Sequence, residues 1–134
     1  MQLFIYTDGG ARGNPGPAAA GVVIKNTQEE TVAAFGEYLG ETTNNQAEYR
    51  ALIYALNKAQ ELGGSEIFCF SDSELMIKQL NHEYKMRNAE LAPLFLKIHN
   101  LSLGFKKISF QHIPREKNKE ADLLVNQTLD KQLK

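Results

Sequence analysis

Cysteine and long apolar runs are both scarce in this chain. Cys69 is the only cysteine among 134 residues, so no disulfide can form within the chain. It lies in the apolar run 67–70, where we expect a buried thiol with a packing role. No apolar run approaches the ~20 residues that a membrane-spanning helix needs, and no basic region precedes the apolar N-terminal stretch. These absences favour a cytoplasmic protein without a membrane partner.

An excess of positive charge is also lacking. The 15 lysine and arginine residues are balanced by 16 acidic residues, which gives a net charge of -1. Proteins that bind nucleic acids are usually basic, so this balance counts against such a partner. The length and the 43% hydrophobic fraction are ordinary for a globular protein, and we expect residues 1–134 to form one domain.

Hydrophobic periodicity predicts an α/β fold. The predicted strands are residues 2–8, 18–25, 31–39, 67–70 and 106–113. The predicted helices begin near residues 43–46, 71–74, 91 and 116–119 and end near residues 62, 80, 101 and 133. The first two helix starts carry capping-box patterns, Thr43 with Gln46 and Ser71 with Glu74. Together these elements predict a five-stranded mixed sheet in the order 3-2-1-4-5, flanked by helices.

Four acidic residues occur where a carboxylate is costly. Asp8 ends a buried strand, and Asp72 follows the strand that we expect beside it, so the two would crowd each other at ~4.8 Å strand spacing. Glu48 and Asp122 lie on or beside apolar helix stripes. Each residue taken alone has an ordinary alternative, as a turn, a helix start, a dipole partner or an exposed charge.

Taken together, the four carboxylates favour a metal site. Without a cation they would raise each other's pKa strongly or destabilise the fold. Mg²⁺ prefers oxygen ligands, and metal pairs about 3.5–4 Å apart serve phosphodiester hydrolysis. We therefore predict that they hold two Mg²⁺ ions, with Mn²⁺ as a possible replacement. The glycine-rich segment 9–17 lacks the spacing of a nucleotide-binding loop and precedes a strand, which excludes that function.

Five short segments resemble type 1 ribonuclease H in sequence and in order. They are Tyr-Thr-Asp-Gly-Gly at 6–10, Gly-Asn-Pro-Gly-Pro at 13–17, Thr-Thr-Asn-Asn-Gln-Ala-Glu at 42–48, Ser-Asp-Ser at 71–73 and Asn-Lys-Glu-Ala-Asp-Leu-Leu at 118–124. The resemblance spans the chain and implies a ribonuclease H-like fold. It also implies hydrolysis of the RNA strand of an RNA/DNA hybrid, leaving 5′-phosphate and 3′-hydroxyl ends. The family's catalytic carboxylates fall on Asp8, Glu48, Asp72 and Asp122.

The resemblance further implies which residues bind the substrate. They are Gly9, Gly10, Asn14, Thr43, Asn44, Asn45, Gln46 and Asn88. The asparagines at 14, 44 and 45 correspond to contacts in the minor groove of the hybrid, with Gln46 nearby. Thr43 and Asn88 correspond to a pocket for a phosphate of the DNA strand. The two glycines would let the RNA backbone approach closely, and Thr43 and Asn44 have a compatible role in helix capping.

The chain departs from the family pattern in two places. A basic insertion after the second helix is reduced to residues 81–88, with only Lys85 and Arg87, so we expect weaker and more salt-sensitive binding. A loop that often carries a working histidine is shortened to residues 114–117. We expect Arg115 to approach the scissile phosphate and His112 to pack at its strand end. The short form resembles the subgroup found in archaea and some bacteria.

Two other functions stay open at this point. The chain could be another nuclease of the same broad fold, although the Gly-Asn-Pro-Gly and Thr-Asn-Asn segments argue against this. It could be a catalytically weak module that binds hybrids, although the complete set of four carboxylates disfavours this. No spare apolar face is evident, so we expect a monomer.

Overall fold

A computed structural model describes residues 1–134 as a five-stranded sheet with helices on both faces. The strands are β1 Gln2–Ala11, β2 Gly16–Lys25, β3 Thr31–Thr42, β4 Glu66–Ser71 and β5 Lys107–His112. The helices are α1 Asn44–Glu61, α2 Glu74–Leu80, α3 Ala92–Ser102 and α4 Lys119–Gln132, and a short 3₁₀ turn at Arg115–Lys117 precedes α4. None of the helices is both long enough and apolar enough to cross a membrane.

The strand order confirms the prediction from the sequence. The sheet runs β3-β2-β1-β4-β5, with β1 antiparallel to β2 and parallel to β4. In this register Thr7 lies opposite Ser71, so Asp8 and Asp72 follow at the same edge of the sheet. β1 extends three residues beyond the predicted end, because Gly9 and Gly10 continue to pair with β2 instead of starting a loop.

The main hydrophobic core lies between the sheet and α1, with α2 and α3 closing its sides. Leu3 and Ile5 of β1 pack there against Leu52 and Leu56 of α1, all fully buried. The apolar stripe predicted for α1 is confirmed, and the predicted burial of the Cys69 thiol is confirmed as well. Burial of this kind supplies most of the stabilisation that a domain of this size can obtain.

On the other face of the sheet, α4 packs on β2, β3 and part of β1. The approach is close, because a Cβ atom on Gly21 would overlap the Ala121 carbonyl and one on Gly36 would overlap the Thr128 hydroxyl. α4 leaves β4, β5 and the first half of β1 without a covering helix on this face. The sheet is therefore fully covered on one face and half covered on the other.

The two predicted capping boxes differ in outcome. Thr43 caps α1, since its Oγ1 accepts a hydrogen bond from the Gln46 backbone N–H at 3.2 Å. The cap of α2 is Ser73, whose hydroxyl accepts from the Met76 N–H at 3.3 Å, and not Ser71 as predicted. β4 continues through Ser71, so its hydroxyl instead accepts from the Ser73 N–H at 3.0 Å and closes the turn between strand and helix.

Candidate active site

Three carboxylates meet at the edge where β1 and β4 end. One oxygen each from Asp8, Glu48 and Asp72 lies within 4.8 Å of the other two. Asp8 comes from β1, Asp72 follows β4 directly, and Glu48 comes from the second turn of α1. The strand register explains the first two positions, and the close packing of α1 on β1 explains the third.

Gly9 makes that packing possible. A Cβ atom at Gly9 would overlap the Ala47 carbonyl and the Glu48 backbone nitrogen, so only glycine lets α1 lie this close to β1. The absent side chain of Gly9 thus faces the helix, which gives this glycine a structural reason beside the predicted contact with RNA. Gly10 lines the open cleft, where an added Cβ would come no closer than 3.6 Å to Val125.

Asp122 joins the site from the first turn of α4 and approaches Asp8 closely enough for a hydrogen bond between the two carboxyl groups. Asn118 holds this helix start in place. Its Nδ2 donates to the Thr7 carbonyl at 2.8 Å, and its own carbonyl accepts from the Asp122 N–H at 3.1 Å. Asn118 is nearly fully buried and links the strand residue before Asp8 to the helix that carries Asp122. The prediction from the sequence did not include Asn118, although a helix-starting asparagine four residues before Asp122 is a usable signal.

The four carboxylates line one cleft of about 470 Å³. Its lining is mostly polar and consists of Asp8, Gly9, Gly10, Ala11, Arg12, Asn44, Glu48, Asp72, Arg115, Asp122, Val125, Asn126 and Leu129. Arg12 is held on the far wall by a 2.7 Å ion pair with Asp130. The cleft is therefore an open polar groove with its acidic groups at one end.

Burial and mutual repulsion raise the pKa of two of these carboxyl groups. Burial, the charge of Asp72 and the contact with Asp122 raise the pKa of Asp8 to about 8. Burial, followed by the charges of Asp8 and Asp72, raises the pKa of Glu48 well above its ordinary value. The Gly9 N–H opposes both shifts by hydrogen bonding. A divalent cation would offset the same repulsion and favour the ionised forms.

The donor set fits a hard divalent cation. Glu48 Oε1 is buried and has no hydrogen-bond partner, which costs free energy unless another group binds it. The neighbouring groups are carboxylate oxygens, the ligands that Mg²⁺ and Mn²⁺ take in proteins. An orphaned buried oxygen in a cluster of carboxylates is thus what a metal site would leave without its ion.

Arg115 lies beside this cluster. Its Nε atom is 4.0 Å from Asp72 Oδ2, and 85% of its side chain is exposed, so most of its donors are free. The predicted packing of His112 is wrong: its side chain is exposed at the end of β5 and lies near Glu74. β5 is the edge strand of the sheet.

The asparagines expected to bind the substrate form part of the wall beside the cleft. Asn14 Oδ1 accepts from the Asn44 backbone N–H at 3.0 Å, and Asn44 Oδ1 accepts from the Ala11 N–H at 2.8 Å. These bonds occupy the side-chain carbonyl oxygens and leave the amide N–H₂ groups for other partners. Asn45 is exposed on the first turn of α1. The glycine-rich loop is thereby fixed to the start of α1.

The residues expected around a DNA phosphate lie at the same end of α1. Gln46 Nε2 donates to Glu90 Oε2 at 2.7 Å, and Asn88 Oδ1 accepts from the Glu90 and Leu91 N–H groups at 2.8 and 3.2 Å. Glu90 thus connects the α1 start, with Thr43, to the segment that carries Asn88. No local sequence pattern predicts this link, because it joins residues 44 positions apart.

The Reverse transcriptase-like family matches residues 6–128 of the chain. A relative named ribonuclease HI, from Halobacterium salinarum, is 42% identical over 129 residues, which are 96% of this chain and 65% of that protein. The bifunctional protein Rv2228c of Mycobacterium tuberculosis is 38% identical over 131 residues, or 97% of this chain. The chain spans only 36% of the length of that relative.

Solved structures agree with the sequence relatives. The crystal structure of RNase H1 from Halobacterium salinarum has a TM-score of 0.96 and 40% identity, and covers 98% of this chain and 99% of its own. LC11-RNase H1, solved in complex with an RNA/DNA hybrid, has a TM-score of 0.94 and 46% identity, with coverage of 98% and 99%. The strand order, the sequence motifs and these matches together place the chain in the Reverse transcriptase-like family, as a member of the type 1 ribonuclease H group.

Proposed function

We propose that this protein hydrolyses the RNA strand of RNA/DNA hybrids and leaves 5′-phosphate and 3′-hydroxyl ends. The observation that carries the proposal is the convergence of Asp8, Glu48 and Asp72 within 4.8 Å at one end of an open polar cleft. Asp122 completes the set from α4. Support for the substrate comes from LC11-RNase H1, which is 46% identical and was solved with an RNA/DNA hybrid.

Asp8, Glu48, Asp72 and Asp122 would hold two Mg²⁺ ions, for which Mn²⁺ could substitute. Bound there, the ions would lower the pKa of an attacking water and stabilise the charge on the leaving 3′ oxygen. The chain itself fixes the ligands before substrate arrives: Asp8 on a central strand, Glu48 on a helix packed against that strand, and Asp122 through Asn118. Ligands held this rigidly need little rearrangement during the reaction.

Arg115 is our proposed contact to the scissile phosphate. Its guanidinium lies at the cleft rim, is anchored only loosely to Asp72 and keeps most of its N–H donors free. A planar guanidinium suits phosphate oxygens and stays charged at any physiological pH. The exposed His112 has no equivalent place, because it does not line the cleft.

Asn14, Asn44 and Asn45 would select the hybrid. The minor groove of A-form-like duplexes is wide and shallow and displays 2′-hydroxyls and base edges, which amide donors can reach. Asn44 lines the cleft, Asn14 accepts a hydrogen bond from its backbone N–H, and Asn45 is exposed beside it on the first turn of α1. On the DNA strand, Thr43 and Asn88 would bind a phosphate, with Gln46 and Glu90 fixing their spacing.

Binding of the hybrid should be weak. Four of the 16 acidic residues belong to the site, so the remainder of the chain is net positive. Arg12 is paired with Asp130, and the connection after α2 offers only Lys85 and Arg87. The salt dependence of binding grows with the number of phosphate contacts, so these few cations predict low affinity with a shallow salt dependence, and not the greater salt sensitivity expected from the sequence.

One assay tests the proposed function. End-labelled RNA/DNA hybrid, double-stranded RNA and double-stranded DNA are incubated with the protein in Mg²⁺, Mn²⁺ or EDTA. We expect cleavage of the hybrid's RNA strand, dependence on the metal, and no cleavage by Asp8→Asn. An uncut hybrid, or equal cutting by Asp8→Asn, would refute the proposal, and cleavage of double-stranded DNA would indicate a different nuclease.

A further inference from the structure

Four aromatic side chains line the uncovered half of the sheet. Phe4 and Tyr6 of β1 stack on Phe68 and Phe70 of β4, with ring centroids 5.0 Å apart in both pairs. All four are only partly buried, because α4 stops short of this region and the main core lies on the opposite face. We call these four residues the aromatic ladder. The ladder is a continuous strip of partly exposed aromatic surface without a covering helix.

The ladder leads away from the acidic cluster. Asp8 lies two residues beyond Tyr6 on β1, and Asp72 lies two residues beyond Phe70. Side chains on one face of a strand recur every two residues, about 7 Å apart. The nearer aromatic pair is therefore about one such step from the carboxylates and the farther pair about two steps.

The turn Arg115–Lys117 stands between the cleft and the ladder. Arg115 lines the cleft on one side, and Lys117 on the other side lines a hollow of about 220 Å³ together with Tyr6 and Lys25. A larger hollow of about 570 Å³ adjoins it and is lined by Phe4, Tyr6, Phe70, Lys25 and the β2–β3 turn at residues 26–29. A strand leaving the cleft over this turn would pass two cations before it reaches aromatic surface.

The geometry of the rings leaves faces for further stacking. Their separation matches the spacing of neighbouring strands, so the rings stack across β1 and β4. The outer face of Phe4 is directed toward β2, whereas Lys25 Nζ lies over that of Tyr6. The larger hollow lies on that side. A flat heterocycle in the hollow would continue the stack.

Charge around the ladder favours an anionic strand. Lys25 Nζ lies 5.7 Å from the Tyr6 ring centroid, and Lys107 Nζ lies 5.7 Å from that of Phe68. Lys25 is also paired with Glu120 at 2.8 Å, Glu29 lines the larger hollow and Glu116 lines the smaller one, so the net attraction for an anionic strand is weak. Aromatic faces flanked by ammonium groups are the combination with which proteins bind unpaired nucleic acids.

We propose that the aromatic ladder binds unpaired RNA, as the single-stranded continuation of the RNA strand that lies in the cleft. The choice of RNA rests on the proposed function, since the strand held at the carboxylates is the one that is cut. One base would stack on Phe4 in the larger hollow, beside Lys25, and the phosphates would pass Arg115 and Lys117. The protein would thus favour hybrids whose RNA strand extends beyond the duplex.

Binding of RNA alone tests the ladder without any cleavage. A fluorescein-labelled decamer of mixed RNA sequence is titrated in EDTA and followed by anisotropy, with the wild type, Phe4→Leu/Phe68→Leu and Phe110→Leu. Phe110 lies on the opposite face of the same sheet and is the matched control. Loss of stacking should weaken binding about tenfold in the double variant and leave the control unchanged. Equal affinity in all three proteins would overturn the proposal.

Amide chemical shifts of the wild type during the same titration keep the test valid if the double variant folds poorly. We expect the largest changes at the ladder residues and at the β2–β3 turn. Changes confined to other parts of the protein would overturn the proposal.

Cleavage then tests the link to the active site. Blunt hybrid and hybrids with an eight-nucleotide RNA or DNA extension are compared by KM. The RNA extension should lower the KM of the wild type severalfold but not that of the double variant, while both cut blunt hybrid alike. An equal benefit from DNA would refute RNA as the occupant. No cleavage of any hybrid would refute the proposed function, and the RNA titration would still report on the ladder.

Discussion

The core under α1 and the edge that carries the carboxylates differ in how well their groups are satisfied. In the core, apolar side chains such as Leu52 and Leu56 are buried against one another. At the edge, buried side-chain oxygens of Thr7, Glu48 and Asn118 have no hydrogen-bond partner, and these are the only such atoms in the protein. Stability is thus concentrated in one region, and uncompensated polar groups are concentrated in the other, beside the proposed active site.

The edge that carries the carboxylates depends on the core for its stability. α1 supplies both regions, since Leu52 lies on the buried stripe and Glu48 one turn earlier reaches the edge. Removing a side-chain group from the edge should therefore reduce activity without loss of stability. Removing one from the core should reduce stability and leave the activity of the folded protein nearly unchanged.

The largest effect is expected for Asp8→Asn. The substitution removes the carboxylate that lies between Asp72 and Asp122, so the cluster would lose a proposed metal ligand. We expect kcat on RNA/DNA hybrid to fall at least about a thousandfold. Steady-state cleavage at saturating Mg²⁺ measures this, and a loss of less than tenfold would contradict the assigned role.

Leu56→Ala should produce the opposite result. It creates a cavity in the core at a fully buried position, which typically costs about 2–5 kcal/mol of unfolding free energy. Urea unfolding measures the loss. The folded variant should keep kcat within about twofold of the wild type at low temperature, since the cleft does not include this residue. A large loss of kcat in the folded protein would show that the two regions are not separable.

Gly9→Ala tests the contact between the two regions. The added methyl would collide with the backbone of α1 at Ala47 and Glu48, and we expect a loss of about 1–3 kcal/mol together with lower activity. Gly10→Ala is the matched control for stability, because its methyl meets only Val125 at 3.6 Å. Unfolding curves that coincide for the two variants would argue against close packing as the role of Gly9.

The smallest effect is expected for Arg115→Ala. Loss of the exposed guanidinium should lower kcat about tenfold and leave stability unchanged, because its only ion pair, with Asp72, is at 4.0 Å. His112→Ala should retain wild-type kcat. Equal turnover in Arg115→Ala and the wild type would remove Arg115 from the mechanism.

Much of the fold followed from local patterns in the sequence. Hydrophobic periodicity predicts the apolar stripe of α1, the three strands β1 to β3 and the helical connection through α1 to β4. These elements suffice to bring Asp8 and Asp72 to one edge of the sheet. The ends of β1 and the cap of α2 did not follow. Gly9 and Gly10 continue β1 because β2 pairs with them, and Ser71 continues β4 because β1 pairs with it. Such pairing depends on the tertiary structure.

The convergence of the carboxylates was predictable, but the groups that fix them were only partly so. Asn118 links β1 to α4 across 111 residues, and Glu90 links α1 to the segment before α3. The position of Asn118 at a helix start is a local signal, but nothing local indicates its partner on β1, and Glu90 has no local signal at all. The exposure of His112 likewise depends on the position of β5 at the edge of the sheet, which the residues of β5 alone do not predict.

The proposal that the acidic edge is a metal site is tested most directly by the stability of the wild type and Asp8→Asn, each measured with and without metal. In the folded metal-free protein the pKa of Asp8 is about 8, above the value of 3.8 for an unperturbed Asp. Between these two values the folded state binds a proton that the unfolded state has released, so the free energy of unfolding falls as pH rises.

In EDTA at pH 8, Asp8→Asn should therefore be more stable than the wild type by about 2 kcal/mol, and the difference should shrink toward pH 5. Mg²⁺ should stabilise the wild type more than the variant and so reduce the difference at pH 8. Urea unfolding at the two pH values, in EDTA and in Mg²⁺, provides the comparison. If Asp8→Asn is less stable than the wild type in EDTA at pH 8, and Mg²⁺ stabilises both proteins equally, the acidic edge is not a strained metal site.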